Sequence, residues 1–357
     1  SCRENFGEGI RRGRREIGQQ GSNENRKEVR SLLDPYGRNI HYLRISVTDR
    51  CNLRCQYCMP ASGVPDLGHA NILTLEEIHR VVQAAAMVGV DSVRLTGGEP
   101  LVRKNVVQLI RQIAATPHIE DVALTTNGIL FAELAQELKQ AGLRRVNFSL
   151  DTLNAAVFKE LTGTDGLQHV LHAISAALEL GFGPVKINTV VLRGINEQEV
   201  MELAYLAKTM PVHVRFIECM PVGNLEFYRE ERFVSMQEVK ERLAARYELV
   251  AGEAPLGNGP AKTYQLRGGQ GTVGFISAMS DHFCGACNRL RLTADGRLRS
   301  CLFGKEEVNL KPALSRQAGI EEVAELFRQA ILAKPERHYM QQGWGADNAR
   351  KMYQIGG

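Results

Sequence analysis

From residue 40 onward the chain alternates short β-branched, apolar runs with longer stretches of helical period, and this rhythm limits the fold more than any other feature. The runs predict strands over Ile40–Val47, Ser92–Thr96, Val122–Thr126, Val146–Leu150, Val185–Val191 and Val212–Ile217, with helices between them. Helix starts are marked by Thr74 followed by Glu77 and by Ser235 followed by Glu238, and more loosely by Asn196 followed by Glu199. Gly89, Gly142 and Gly181 each stand just before the next strand, where a helix commonly ends in a left-handed residue. The expectation is an α/β fold of about six βα units around a parallel sheet, open or barrel-like.

Strand side chains alternate between two faces, so each run can be divided. One face is apolar throughout: Leu43, Ile45 and Val47, then Val93, Leu95, Val122, Leu124, Val146, Phe148, Leu150, Val185, Ile187, Val212, Val214 and Phe216. That face should meet the helices. The other carries Arg44, Ser46, Arg94, Thr96, Thr125, Asn147, Ser149, Lys186, Asn188, His213 and Arg215. A closed, side-chain-filled barrel wants branched apolar residues inside, so this pattern implies a lumen that holds water or ligand. Arg44, Arg94, Lys186 and Arg215 together suit a polyanion such as a nucleoside triphosphate.

Past residue 250 the character changes. A stretch rich in Gly and Pro over 251–274 reads as loop with short strands, and residues 289–301 read as a β-hairpin turned by Asp295-Gly296. Such a hairpin would bring Cys287 and Cys301 together at its open end. An amphipathic helix near Glu321–Ala333 and a tail ending in Gly356-Gly357 follow. The division expected is an extension over 1–35, a barrel over 36–250 and a smaller C-terminal region over 251–357.

Of the chain's formal charge of +4, residues 1–30 carry +3, leaving about +1 for the rest, too little for a nucleic-acid platform. No apolar run is long enough to span a membrane, and residues 1–30 lack a signal-peptide core. A cytoplasmic enzyme is the expectation; the Arg-rich stretch Arg11–Arg15 would suit a mitochondrial leader if the source were eukaryotic, but the interspersed Glu residues oppose it. Residues 1–35 are read as a disordered extension.

Six of the eight cysteines fall in two groups of three, Cys51, Cys55, Cys58 and Cys284, Cys287, Cys301, leaving Cys2 and Cys219 apart. Three closely spaced thiolates on a 4Fe-4S cluster leave one iron open to a small molecule; the other reading is zinc, which prefers four ligands and mostly C-x2-C spacing. The run Cys51-Asn52-Leu53-Arg54-Cys55-Gln56-Tyr57-Cys58-Met59-Pro60, with Gly97-Gly98-Glu99-Pro100 after the second strand, resembles the radical S-adenosylmethionine superfamily. Phe283-Cys284-Gly285-Ala286-Cys287-Asn288-Arg289-Leu290-Arg291, with Leu298-Arg299-Ser300-Cys301, is similar to the C-terminal motif of the GTP 3′,8-cyclase family of molybdenum-cofactor biosynthesis. The likeness runs from about Arg38 to the end.

That resemblance implies a partial (β/α)6 TIM-type barrel of the radical S-adenosylmethionine type, with a smaller C-terminal cluster-binding region. It implies two 4Fe-4S clusters, on Cys51, Cys55 and Cys58 and on Cys284, Cys287 and Cys301, with S-adenosylmethionine on the open iron of the first and the guanine of GTP on that of the second. Arg44, Arg94, Thr125, Lys186, Arg215, Arg289 and Arg291 match GTP-side positions; Tyr57, Gly98, Ser149 and Met220 match S-adenosylmethionine-side positions; Gly356 and Gly357 match a tail needed for turnover. The implied lyase reaction removes the ribose 3′ hydrogen of GTP with a 5′-deoxyadenosyl radical and yields (8S)-3′,8-cyclo-7,8-dihydroguanosine 5′-triphosphate. Implied partners are a flavodoxin-like or ferredoxin-like one-electron donor and the next enzyme, cyclic pyranopterin monophosphate synthase, with no nucleic acid or membrane, in a monomer or homodimer. The alternatives are a peptide-modifying maturase with an auxiliary cluster, or a non-enzymatic iron-sulfur sensor. On the residues alone, the lumen cations could instead pair with Glu99, Asp151 or Glu218.

Overall fold

The computed structural model describes residues 32–64, 71–222, 227–281, 283–338 and 350–356. Six parallel strands occupy nearly the positions expected: β1 (Tyr42–Ser46), β2 (Ser92–Thr96), β3 (Asp121–Thr126), β4 (Arg145–Ser149), β5 (Val185–Val191) and β6 (Val212–Glu218). They follow one another in space as in sequence. Between and after them run α1 (Leu75–Met87), α2 (Val106–Ala114), α3 (Phe131–Gln140), α4 (Ala155–Thr162), α5 (Leu167–Glu179), α6 (Val200–Thr209) and α7 (Met236–Ala244).

The C-terminal region does not form a separate sheet. Its strands are β7 (Leu249–Ala251), β8 (Lys262–Leu266), β9 (Thr272–Ile276), β10 (Arg289–Leu292), β11 (Arg297–Arg299) and β12 (Val308–Asn309). β9 joins β6 and β10 joins β1, both in parallel, so one 12-stranded sheet runs β12-β11-β10-β1-β2-β3-β4-β5-β6-β9-β8-β7. The remaining helices are α8 (Lys311–Ser315), α9 (Ile320–Leu332) and α10 (Met352–Ile355), and α9 packs on α1.

Every residue assigned to the apolar strand face is buried in one continuous core with the inward stripes of the helices. Removing that surface from water is the main stabilising term. Thr74 and Glu77 close a reciprocal cap on α1, and Ser235 accepts the Glu238 amide at the start of α7. Asn196 departs from expectation: it caps no helix, because its amide donates to the carbonyls of Asp151 and Val190 at 2.7 and 2.8 Å, and its Oδ1 accepts from Leu192. The hairpin forms with Arg291 opposite Arg299 and with Gly296 at positive φ. Residues 32–35, at the end of the expected extension, enter a turn in which Asp34 accepts from the Tyr36 and Arg38 amides; residues 1–31 with Cys2 lie outside the described residues. Among the described residues no helix is long and apolar enough to cross a membrane.

Phe148 is fully buried and meets Phe131 edge-on at 5.1 Å between ring centroids. Phe148→Ala should lower unfolding stability by about 3–5 kcal/mol in a denaturant titration, whereas Tyr205→Ala, at a side chain 54% exposed, should change it by less than about 0.5 kcal/mol. Equal midpoints for the two variants would contradict this placement of the core.

Candidate active site

The first cysteine group lies in the loop that leaves β1, at the C-terminal edge of the sheet. Two glycines fix this loop against the turn after β2. A Cβ on Gly97 would sit 2.4 Å from the Thr48 carbonyl oxygen, and one on Gly98 would sit 2.4 Å from that of Arg50, so only bare backbone can pass. The Gly98 and Glu99 amides donate to those same two carbonyls at 2.8 Å. Buried Glu99 then accepts from the Leu101 amide, the Thr126 hydroxyl and the Asn127 amide at 3.0, 2.8 and 2.7 Å, and burial pushes its carboxyl up to about 7.

N–H groups point at both sets of sulfurs. Cys51 Sγ accepts from the Leu53 amide at 3.4 Å and from Asn127 Nδ2 at 3.7 Å, and Cys58 accepts from the Tyr353 amide. Cys284 accepts from the His338 amide, and Cys287 from the Arg289 amide and the Lys334 ammonium. Burial first, and then the neighbouring cysteines, raise the thiols of Cys55 and Cys58, Cys58 to about 12. Cys287 differs: against burial, Lys334 and Arg289 bring it below its ordinary value. Lys334 is itself buried and donates to the Arg289 carbonyl at 2.9 Å and to the Ser300 carbonyl at 2.5 Å. The seven described cysteines are free thiols. Among the described residues no three His, Cys, Asp or Glu side chains close to the spacing of a single metal ion. Crowded sulfurs that receive N–H donors fit the larger body of an iron-sulfur cluster, whose net charge such donors stabilise.

The polar strand face lines the lumen between these two loops. Cross-strand register puts Arg291, Arg44 and Arg94 side by side on β10, β1 and β2, and puts Thr125, Asn147, Lys186 and His213 side by side on β3 to β6. Ser149, Asn188 and Arg215 make the next row toward the C-terminal edge. Burial first, and then Arg215, Arg145 and Arg94, push the Lys186 ammonium down to about 5. Burial likewise lowers Arg94 to about 9, with Tyr42 opposing and Arg44, Arg145 and Arg215 adding, and lowers Arg215 to about 10.

None of the three candidate acids neutralises these cations. Asp151 accepts from the Tyr57 hydroxyl at 2.7 Å and the Val190 amide at 2.8 Å. Glu218 accepts from the Met236, Met279 and Ser280 amides and the Ser280 hydroxyl. Glu99 is occupied as described. Among the described residues only Arg145 of the lumen group has a carboxylate partner, Asp121. Lys186 and Arg145 both donate to the Leu256 carbonyl, in a loop whose Gly257 and Gly259 press bare backbone against Arg145, Lys186 and Arg215. Polar atoms buried here without a partner include Tyr42 Oη, the Nε atoms of Arg44, Arg94 and Arg289, Thr125 Oγ1, Asn188 Oδ1 and both amide atoms of Asn147.

Tyr57 lies beside Asp151 and Phe227, Ser149 ends β4, and Met220 follows β6 just after buried Cys219. Arg289 and Arg291 share one face of β10, with Arg289 stacked over Phe283 at 5.0 Å. The tail lies against the ends of β1 and β2. Arg350 bonds both oxygens of Asp295 and both of Glu307, and Arg291 Nη1 donates to the Gly356 carbonyl. Gly356 is buried at φ +79°, where a Cβ would meet the Thr96 methyl at 2.5 Å. Gly357 lies outside the described residues. Tyr42, Arg145, Lys334 and Arg350 were missed by the sequence reading; Tyr42 alternates with Arg44 and Arg145 with Asn147, so both carried a signal, while Lys334 and Arg350 depend on contacts distant in sequence.

Arg350→Gln should expose the tail, read as at least tenfold faster chymotryptic cleavage after Tyr353 in otherwise folded protein; an unchanged rate would contradict the clamp. Against burial, Arg350 holds the carboxyls of Asp295 and Glu307 below their ordinary values. The native state therefore binds fewer protons in the acid range. The clamp's contribution is full above the unfolded carboxylate range, about pH 4, and is lost as pH falls through the depressed native values. Amide exchange of residues 351–356 followed between pH 7 and pH 3 should show tail protection vanishing only at the acid end.

Comparison with known proteins agrees with this geometry. The family model of the Radical SAM superfamily matches residues 45–207, and that of Molybdenum Cofactor Synthesis C matches residues 212–340. The GTP 3′,8-cyclase of Syntrophomonas wolfei is 57% identical over 326 residues, covering 91% of this chain and 100% of that protein. Those of Desulforamulus reducens and Moorella thermoacetica are 50% and 49% identical with the same coverage. The crystal structure of Streptococcus suis SuiB superposes with a TM-score of 0.57 at 14% identity, covering 89% of this chain and 78% of that one, which shows the shared fold. Radical chemistry on S-adenosylmethionine and a 4Fe-4S cluster comes with that superfamily, and the chain belongs to its GTP 3′,8-cyclase family.

Proposed function

We propose that this chain converts GTP to (8S)-3′,8-cyclo-7,8-dihydroguanosine 5′-triphosphate, the first step of molybdenum-cofactor biosynthesis. The observation that carries the reading is the lumen itself: Arg44, Arg94, Lys186 and Arg215 face one space, and among the described residues none of the four is paired with a carboxylate, Asp121 being taken by Arg145. A triphosphate supplies the missing negative charge and the acceptors that these donors need.

Cys51, Cys55 and Cys58 would hold the first 4Fe-4S cluster, with Tyr57, Gly98, Ser149 and Met220 around S-adenosylmethionine. Cys284, Cys287 and Cys301 would hold a second, facing the guanine. When bound, the first cluster and S-adenosylmethionine supply the radical that removes the ribose 3′ hydrogen. Arg44, Arg94, Thr125, Lys186, Arg215, Arg289 and Arg291 hold the nucleotide so that C3′ and C8 meet, and the tail at Gly356 and Gly357 excludes water and competing hydrogen donors. The product is an isomer of GTP. Its hydrogen leaves with 5′-deoxyadenosine, the new bond joins C3′ to C8, and one electron and one proton complete the ring system. Cleaving S-adenosylmethionine would take a second electron, so two one-electron deliveries from a flavodoxin-like or ferredoxin-like donor would balance each turnover. The product would pass to a cyclic pyranopterin monophosphate synthase. Residues 36–250 supply the barrel, residues 251–357 the second cluster and tail, and the compartment is the cytoplasm.

Reconstituted anaerobically with S-adenosylmethionine, dithionite and GTP deuterated at the ribose 3′ position, the protein should place deuterium in 5′-deoxyadenosine and yield an isomer of GTP by mass spectrometry. Cleavage of S-adenosylmethionine with GTP untouched would overturn the substrate. Cys301→Ser should lower iron from about eight to about four per chain; an unchanged count would remove Cys301 from the second cluster.

A further inference from the structure

Asn147 sits in the middle of β4 with its side chain fully buried. Its neighbours Val146 and Phe148 point into the apolar core, so Asn147 points into the lumen. Both its amide nitrogen and its amide oxygen lack a hydrogen-bond partner. Turning the amide over would cure neither, and a buried amide left in that condition destabilises the chain that carries it. The group is therefore shaped for something that both donates and accepts.

Its surroundings narrow what that is. Thr125 and Lys186 flank it across the sheet, and Ser149 stands two residues further toward the C-terminal edge on the same face, roughly 7 Å along the strand. Asn147 thus occupies the row directly beneath the cofactor-side serine, level with two nucleotide-side residues. Phosphate oxygens at neutral pH only accept, so a phosphate could engage the amide nitrogen but would leave the amide oxygen unpaired. A ribose hydroxyl donates as well as accepts. Ribose is also the part of the nucleotide that must lie next to the cofactor if its hydrogen is to be removed.

We propose that Asn147 binds the ribose diol of GTP, accepting a hydroxyl proton on Oδ1 and donating from Nδ2 to a sugar oxygen, and so fixes the sugar beneath the cofactor. This rests on the reading of the lumen as the GTP site. It makes Asn147 a residue that separates ribonucleotide from deoxyribonucleotide, a task that Arg and Lys contacts to phosphate cannot perform. Sites built to pair a hydroxyl reject analogues that lack it, because their own polar atoms are then left unpaired.

The test measures binding of GTP, 2′-deoxyGTP and 3′-deoxyGTP to the reconstituted holoenzyme by anaerobic calorimetry, for the wild type, Asn147→Ala and Asn147→Leu. The wild type should bind GTP at least tenfold more tightly than one of the deoxy analogues, and both variants should lose that preference while binding the analogue within about threefold of the wild type. Without nucleotide, Asn147→Leu should melt no lower than the wild type, since it removes an unpaired buried amide at little change in volume. Equal weakening of all three nucleotides in folded variants, or a preference that survives both substitutions, would overturn the proposal. Failure of the wild type to bind GTP at all would instead remove the GTP reading on which it stands.

Discussion

Positive charge buried without its counter-charge is the constraint around which this molecule is arranged. Arg44, Arg94, Lys186 and Arg215 share one lumen, and Asp121 is the sole carboxylate paired with any lumen cation among the described residues. Burying a charge is costly unless it is paired, and the depressed Lys186, Arg94 and Arg215 express that cost, Lys186 so far that it gives up its proton at neutral pH until an anion lies beside it. Such an interior is tolerable because the surrounding core is large and continuous, taking in the opposite face of each strand from β1 to β6. The chain sacrifices stability at its centre in exchange for a binding site, as functional sites commonly do.

The acids that might have relieved this charge have other work. Glu99 ties the turn after β2 to the end of β3, Asp151 holds Tyr57 against the end of β4, and Glu218 gathers the start of α7 and the stretch after β9 onto the end of β6. Each accepts from backbone or hydroxyl donors at the C-terminal edge. Carboxylates therefore shape the rim where the first cysteine group and its neighbours stand, while cations fill the lumen below. Apart from Asp121 at the start of β3, which Arg145 holds, this separation of sign along the strands gives an anionic ligand a place to lie.

Much of this was legible in the sequence because strand alternation converts directly into geometry. The period-two split separates the apolar face, from Leu43 to Phe216, from the polar one and puts Arg44, Arg94, Lys186 and Arg215 together on the latter. The two cysteine groups and the hairpin at Asp295-Gly296 were equally local signals. What alternation could not reveal were contacts between distant segments. β9 and β10 complete the sheet on opposite edges, Lys334 reaches Cys287 from the end of α9, and Arg350 clasps two acids of the hairpin region. Arg145 escaped because it begins its strand one residue before the apolar pattern does, and the loop at Gly257 and Gly259 read only as a connection. Asn196 misled because Asn suits a helix cap and a loop brace equally well.

The central claim is that the uncompensated lumen charge exists to hold a triphosphate. Anaerobic calorimetry comparing GTP with guanosine on the reconstituted protein tests it most directly. The account expects GTP to bind at least a hundredfold more tightly, with an affinity that falls as salt is raised. Guanosine binding as tightly as GTP would show that the cations serve the fold and not the substrate, and would contradict the account.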